Sequence, residues 1–358
     1  MAMRITQSQI NRLYLRNNRM TMKNMNDAYT RIITQNQYTR TSENPLNSEK
    51  AMTIRKGLRD LDIWDDNIST AHELFTTAEQ SLTQVASNLF ATRVKPLLVQ
   101  GSTTTVGSVG MMAVGTELGQ IAHEMVDAMN ADFNDRQMFG GLSQDKTPFT
   151  IEDVERDGEM LQRVCYNGID MDTITKGADG LYYGTQIADG VETPDTLVPG
   201  QGQVLLDIGL GIDFDADLNV DPNTAFDTAL HGFEIVGFGT DDEGYSKNLI
   251  QLTLDAAHVA SKGDVLHVEE LAAYIDKTDD AATNIRTTIT ELGVRYNSLD
   301  YYLSKNEDAR FALWERQNTV EGSDIEKEIT EYYAVQAAYD ATLKMGANVL
   351  PRSIFDFI

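Results

Sequence analysis

"IRKGLRDLDIWDDNISTAHELFTTAEQSLTQVASNL", Ile54 to Leu89, decides the fold. Counted in sevens from Ile54 it places Leu61, Ile68, Phe75, Leu82 and Leu89, all apolar. Three residues after the first five stand Gly57, Trp64, Ala71, Ala78 and Val85. That spacing predicts one long helix with a sustained apolar seam. A seam needs an apolar partner, and two other segments supply one. From Leu271 the three-four spacing gives Ile275, Thr278, Ala282, Ile285, Ile289, Leu292, Tyr296, Leu299 and Leu303, with Thr278 the one polar member. Met111, Val114, Leu118, Ile121, Met125 and Ala128 repeat it after the break "QGSTTTVGSVG", Gln100 to Gly110. The expected fold class is mainly α with an inserted β-rich domain, its long-helix bundle or coiled coil formed antiparallel by N- and C-terminal segments.

Two more helical patterns flank the bundle: Met22, Met25, Tyr29 and Ile32 near one end, and Ile325, Ile329, Tyr332, Tyr339 and Leu343 near the other. "GSDIEKEI", Gly322 to Ile329, offers Ser323 or Asp324 as an N-cap with Glu326 and Glu328 in the first turn, where they suit the helix dipole. From about 141 to 260 the grammar changes. Gly and Asp recur as turn signals, as in "NGID" and "KGADGLYYG", between β-prone runs such as "LYYGTQI", "QVLLDIGLGI" and "GFEIVGFG". Periodicity leaves Leu249 to Val259 open between helix and strand.

The 358 residues carry a net charge of -26, which argues against nucleic acid and against an anionic membrane as partners. The charge is uneven. Residues 1–50 hold Arg4, Arg12, Arg16, Arg19, Lys23, Arg31, Arg40 and Lys50 against Asp27, Glu43 and Glu49, whereas 141–260 is strongly acidic. Cys165 is the single cysteine, so no intrachain disulfide and no multi-thiolate zinc site can form. The final "SIFDFI", Ser353 to Ile358, is an apolar ending whose side chains are a liability unless a partner covers them.

Catalytic and metal motifs fail on their own terms. "HEMVD", His123 to Asp127, lacks the second histidine of a zinc-protease helix, since Asp127 occupies its place. "DFDADLNVDPNT", Asp213 to Thr224, alternates acids like a calcium loop. Leu218 stands where Gly is needed and Thr224 where a bidentate Glu is needed, so the stretch reads as a solvated turn, with weak calcium binding at 213–221 left open. "GSTTTVGSVG" lacks the Lys of a phosphate loop. His231, His258 and His267 have no ligand spacing, and Cys165 reads as a small buried apolar residue. The expectation is no catalytic residue, no cofactor and no metal.

The two ends resemble known proteins. Met3 to Met52 is similar to the N-terminal region of the flagellin superfamily, with "SENPLNSEKAM", Ser42 to Met52, in place of its Pro-Ser-Asp-Asp-Pro turn. "MNADFNDRQMFGG", Met129 to Gly141, resembles the segment that closes the family's N-terminal region, with Asp135 where the pattern has Gly and with Arg136, Phe139, Gly140 and Gly141 kept. Glu291 to Ile358 resembles the C-terminal block, and the acidic middle matches the family's variable insert only in being unmatched. The turn, the "DRQMFGG" segment and the "SIFDFI" ending are closer to the hook–filament junction branch, hook-associated protein 3, than to flagellin, the alternative. A flagellin-like scaffold displaying an adhesive or enzymatic insert is the third reading; an enzymatic insert would need an intact His-Glu-x-x-His helix, which is missing.

The resemblance implies a structural, motility-related component of the bacterial flagellum, extracellular and exported by the type III route without a cleaved signal. The implied partners are further copies of the chain, the neighbouring hook-associated protein, flagellin, and an export chaperone at the C-terminal region. The implied domains are a terminal helical assembly region, 1–45 with 310–358; a helical bundle, 46–140 with 262–309; and the insert, 141–261. The assembly interface is expected at Ile5, Ile10, Leu13, Met22, Met25, Ile32, Ile329, Tyr332, Tyr339, Leu343, Leu350, Ile354, Phe355, Phe357 and Ile358.

Overall fold

The computed structural model describes residues 7–38, 40–103, 107–143, 146–156, 158–188, 191–214, 220–221, 224–263 and 268–349. The chain divides into two compact units, Met1–Asp62 with Lys305–Ile358 and Ile63–Ser304. The dividing points fall within two long helices, α2 (Pro45–Thr83) and α7 (Val268–Glu321).

The heptad reading holds, since Ile54, Leu61, Ile68, Phe75, Leu82 and Leu89 are all buried. In the Ile63–Ser304 unit, α2 continues through a π-helical segment, Gln84–Val94, into α3 (Lys95–Gly101), and α4 (Ser108–Met129) follows the expected break. The π-helical segment buries Val85, Ala86, Leu89, Phe90 and Val94, and Leu98 follows on α3. The Thr92 hydroxyl donates to the Ser87 carbonyl five residues back at 2.8 Å. Thr278 is buried in the α7 seam and is satisfied locally, donating to the carbonyls of Tyr274 (2.6 Å) and Ile275 (3.0 Å).

Leu249–Ser261 is a helix, α6, buried on nearly every side, which is why its sequence shows no amphipathic period. Asn248 caps it, its side chain accepting from the Ile250 amide at 2.8 Å. Helix α4 approaches α6 closely at Gly115, where a Cβ would lie 2.7 Å from both the Ala257 carbonyl oxygen and the Ser261 nitrogen. Only glycine permits that spacing.

The expected β-rich insert is an antiparallel sheet. Strands β3 (Phe149–Arg156), β4 (Glu159–Tyr166), β5 (Ile169–Asp170), β7 (Tyr182–Ala188) and β6 (Thr175–Lys176) lie in that order, and β8 (Val191–Leu197) pairs with β7. The "NGID" signal is a two-residue hairpin, with Asn167 at φ 50 and Gly168 at φ 82 as a type I′ turn requires. "LYYGTQI" falls on β7, but two other runs were not strands of this sheet. "GFEIVGFG" contains the short helix α5 (Gly232–Val236), ended by Gly237 at φ 92. Its apolar run is buried as a helical turn would bury it, and length and hydropathy do not distinguish that from a strand. "QVLLDIGLGI" supplies only β9 (Leu205–Leu206), paired with β10 (Phe226–Asp227).

Sheet and helices share one core. The Tyr166 ring sits 5.3 Å from Phe149 and 5.2 Å from Phe233, and its hydroxyl donates to the Phe139 carbonyl at 2.9 Å. Phe139 belongs to the "FGG" run, whose glycines are sterically required: a Cβ on Gly140 would lie 2.2 Å from the Ser143 oxygen, and one on Gly141 2.2 Å from the Gly200 oxygen. Just before it, β1 (Asp132–Phe133) and β2 (Arg136–Gln137) form a hairpin turned by Asn134 (φ 53) and Asp135 (φ 61). A left-handed backbone at Asp135 explains a pattern that prefers Gly there.

Candidate assembly surface

The unit Met1–Asp62 with Lys305–Ile358 is built from α1 (Gln7–Thr34), the start of α2, the end of α7 and α8 (Ile325–Val349). Asn44 and Pro45 begin α2, the Asn44 side chain accepting from the Asn47 amide at 3.2 Å with Pro45 in the first helical position. Asp324, one of the two expected caps, begins α8 and accepts from the Lys327 amide at 3.2 Å.

Helices α1 and α8 run antiparallel. Tyr29 meets Tyr332 with ring centres 6.2 Å apart, Arg31 pairs with Glu328 at 2.7 Å and Glu331 at 3.1 Å, and Gly346 lies against the Tyr14 hydroxyl. The hydrogen bond to Glu328 raises the Arg31 pKa above its ordinary value. The chain leaving α1 pairs with the α7–α8 connection, the Gln37 amide donating to the Glu321 carbonyl (2.8 Å) and the Ser323 amide to the Gln35 carbonyl (2.9 Å). Glu321 is itself buried and paired with Arg55 at 2.5 Å. Polar contacts thus fix the registration of this unit.

Its apolar burial is slight. Ala28, Ala51, Ile54 and Leu61 are its buried apolar side chains among the described residues. Two antiparallel helices can cover only one stripe of each other, and the expected interface residues divide accordingly. Met25, Ile32, Tyr332 and Tyr339 are half-buried, whereas Ile10, Leu13, Met22, Ile329 and Leu343 are exposed. Ile5, Leu350, Ile354, Phe355, Phe357 and Ile358 lie outside the described residues.

Counting along seams missed further exposed apolar residues: Leu15, Met20 and Ile33 on α1, Leu46 and Met52 on α2, Phe311 and Trp314 on α7, and Tyr333 and Met345 on α8. The signal was present, because each is a large apolar side chain off the seam of an otherwise polar helix. Phe311 and Trp314 line a hollow of about 660 Å³ with Thr34, Gln35 and Asn36. Single exposed apolar residues are ordinary, and their number on this one unit makes it the candidate interaction surface.

Among the described residues no group of three His, Cys, Asp or Glu side chains could hold a metal. His123 is exposed on α4, and Cys165 is fully buried with Val154 and Ile187. Most of the acidic stretch 213–221 lies outside the described residues; beside it Thr224 accepts from the Asp213 amide at 3.1 Å. No helix of the described residues is long and apolar enough to cross a membrane.

No protein-family model matches the chain, and no curated protein matches it by sequence. Solved structures do match. A protein described as a flagellar hook-associated protein from Vibrio parahaemolyticus is 16% identical, with a TM-score of 0.54 over 78% of this chain and 100% of its own. Flagellar hook associated protein-3 from Legionella pneumophila is 13% identical, with a TM-score of 0.48 over 75% and 98%. FlgL from Bacillus cereus is 17% identical, with a TM-score of 0.45 over 74% and 99%. Over most of its length, then, the chain has the fold of the Vibrio parahaemolyticus hook-associated protein.

Proposed function

We propose that this chain is a structural component of the bacterial flagellum that joins the hook to the filament as a junction ring. The observation that carries the reading is the terminal unit, which is registered by polar contacts yet leaves its apolar side chains in solvent. Such a unit gains most of its apolar burial only when subunits pack, at roughly 1.5–3 kcal/mol for each large side chain fully covered. The fold of a hook-associated protein supports the same reading.

In this reading the assembly region is 1–45 with 310–358, the bundle is 46–140 with 262–309, and 141–261 is an insert facing outward. Interface residues are those expected above, including the outermost Ile5, Leu350, Ile354, Phe355, Phe357 and Ile358. The partners are copies of the chain, a neighbouring hook-associated protein and flagellin, with an export chaperone taking the C-terminal region before assembly. The protein works outside the cell, after export without a cleaved signal, and performs no catalysis.

Deleting Ser353–Ile358 is expected to leave the thermal melt of the purified protein unchanged while filaments fail to attach to hooks. Normal filament growth from cells carrying the deletion would sink the assignment. An antibody to the protein should decorate only the hook boundary; decoration along the filament would identify a flagellin instead.

A further inference from the structure

Two stripes in the terminal unit match each other and both stand largely open to solvent. On α1, Arg12, Arg16, Arg19 and Lys23 follow steps of four, three and four, which places them on one helix face. All four are exposed, and none is ion-paired among the described residues. On α7, Glu307, Phe311, Trp314 and Asn318 follow the same steps, with Asp308 and Glu315 beside them. Phe311 and Trp314 are 69% and 68% exposed, and Glu307, Asp308 and Glu315 are exposed carboxylates without an ion pair.

We propose that the basic stripe of α1 docks on the acidic-aromatic stripe of α7 in a second copy of this chain. The proposal rests on the assembly role given above and adds which faces meet and how. Each stripe spans about 16 Å of helix, so the four rungs of one meet the four rungs of the other. Guanidinium groups over Trp314 and Phe311 add cation–π attraction to the ion pairs. The chain's own stripes cannot substitute, because both stand open to solvent in the folded unit.

The occupant is chosen by charge. Copies carrying -26 repel one another at long range, so a local patch of opposite sign is needed to bring two together in one orientation. The same net charge opposes an anionic membrane, the other surface a basic apolar helix could meet. Because the two stripes differ, the contact made head to tail leaves one stripe of each copy open, and it repeats into a ring or helical array.

The test uses the full chain, with self-association followed by sedimentation at low and high salt. High salt is expected to weaken association, as are R16E/R19E and E307K/E315K separately, each by about tenfold or more. The swapped chain carrying all four substitutions should associate like the original. Circular dichroism should be the same for all, since every changed residue is exposed. Association that is indifferent to salt and to both reversals overturns the inference while leaving the assembly role standing. So does a swapped chain no better than its halves, or loss in R16E/R19E of binding to anionic vesicles with association intact. A chain that never associates overturns both.

Discussion

Exposed apolar side chains in the terminal unit should matter to assembly and hardly at all to the folded subunit, and replacing Met22 and Met345 by Gln separates the two. Met22 is 56% exposed and Met345 64%. Gln keeps the length of the side chain and is a comparable helix former, so the subunit should lose no more than about 0.5 kcal/mol per site. More than half of each side chain is still open to cover. With roughly 1.5–3 kcal/mol for full burial, the unrealised part is about 1–2 kcal/mol per site, or ~2–4 kcal/mol for the pair. That corresponds to an assembly constant lowered by about 30- to 1000-fold. The assay is a thermal melt of the purified subunit beside a count of hooks bearing filaments. Ile54→Ala is the control: Ile54 is 4% exposed, and its truncation should destabilise the subunit by about 2–5 kcal/mol. A double variant that melts like the control while filaments attach normally would show these methionines to be core, and the account of the surface would fail.

Three further outcomes follow from the Ile63–Ser304 unit. Burial pushes the Asp172 carboxyl up to about 6 despite its pairing with Arg163 and a hydrogen bond from Ser246. An acid raised on folding stabilises the fold below its unfolded pKa and loses that contribution as pH rises through about 6. Between pH 4 and 6 the natural protein should therefore lose up to ~3 kcal/mol that Asp172→Asn does not, and equal slopes in chemical denaturation at several pH values would refute this. Gly115→Ala, forced against the backbone of α6, should cost about 1–3 kcal/mol. On the same helix Gly119→Ala meets nothing within 4 Å and should gain ~0.5–1 kcal/mol, so melts moving in the same direction would contradict the packing. Asp135→Val should cost about 1–2 kcal/mol and Asp135→Gly little, because the φ of 61 tolerates Asp and Gly but not a β-branched residue.

The helices were legible because each buries a stripe against a partner, and a stripe leaves a period. Ile54 to Leu89 and Leu271 to Leu303 carry theirs over many turns, with no Gly or Pro strong enough to break them. Where burial is complete, the period vanishes. Helix α6 is covered on nearly every side and α5 is a single turn, so neither announced itself, and "GFEIVGFG" passed for a strand. The eight-residue strands β3 and β4 were missed for another reason. "FTIEDVER" and "EMLQRVCY" are thick with charge because β3 is an edge strand and much of the outer half of this hairpin faces solvent. The exposed aromatics of α7 were hidden by their position off the seam, although a Trp and a Phe three residues apart among Glu, Arg and Gln are a signal in themselves.

What unites the two units is a difference in where their free energy is realised. In Ile63–Ser304 helices and sheet close one core, and the buried polar side chains of Thr278 and Asn248 find partners within it. The terminal unit instead relies on contacts that fix register at little net gain: a bridge at Asn36 and Gly322, and ion pairs at Arg31 and Arg55. Partly exposed ion pairs contribute about 1 kcal/mol or less each. Register without burial aligns the side chains of α1 and α8 in advance, so in the proposed assembly a neighbouring subunit would meet an ordered surface and lose less of its binding energy to ordering. A larger internal core here would stabilise the lone subunit at the expense of the apolar surface that the proposed assembly needs; a small residue, Ala28, is buried, and Leu13, Met22 and Leu343 remain in water.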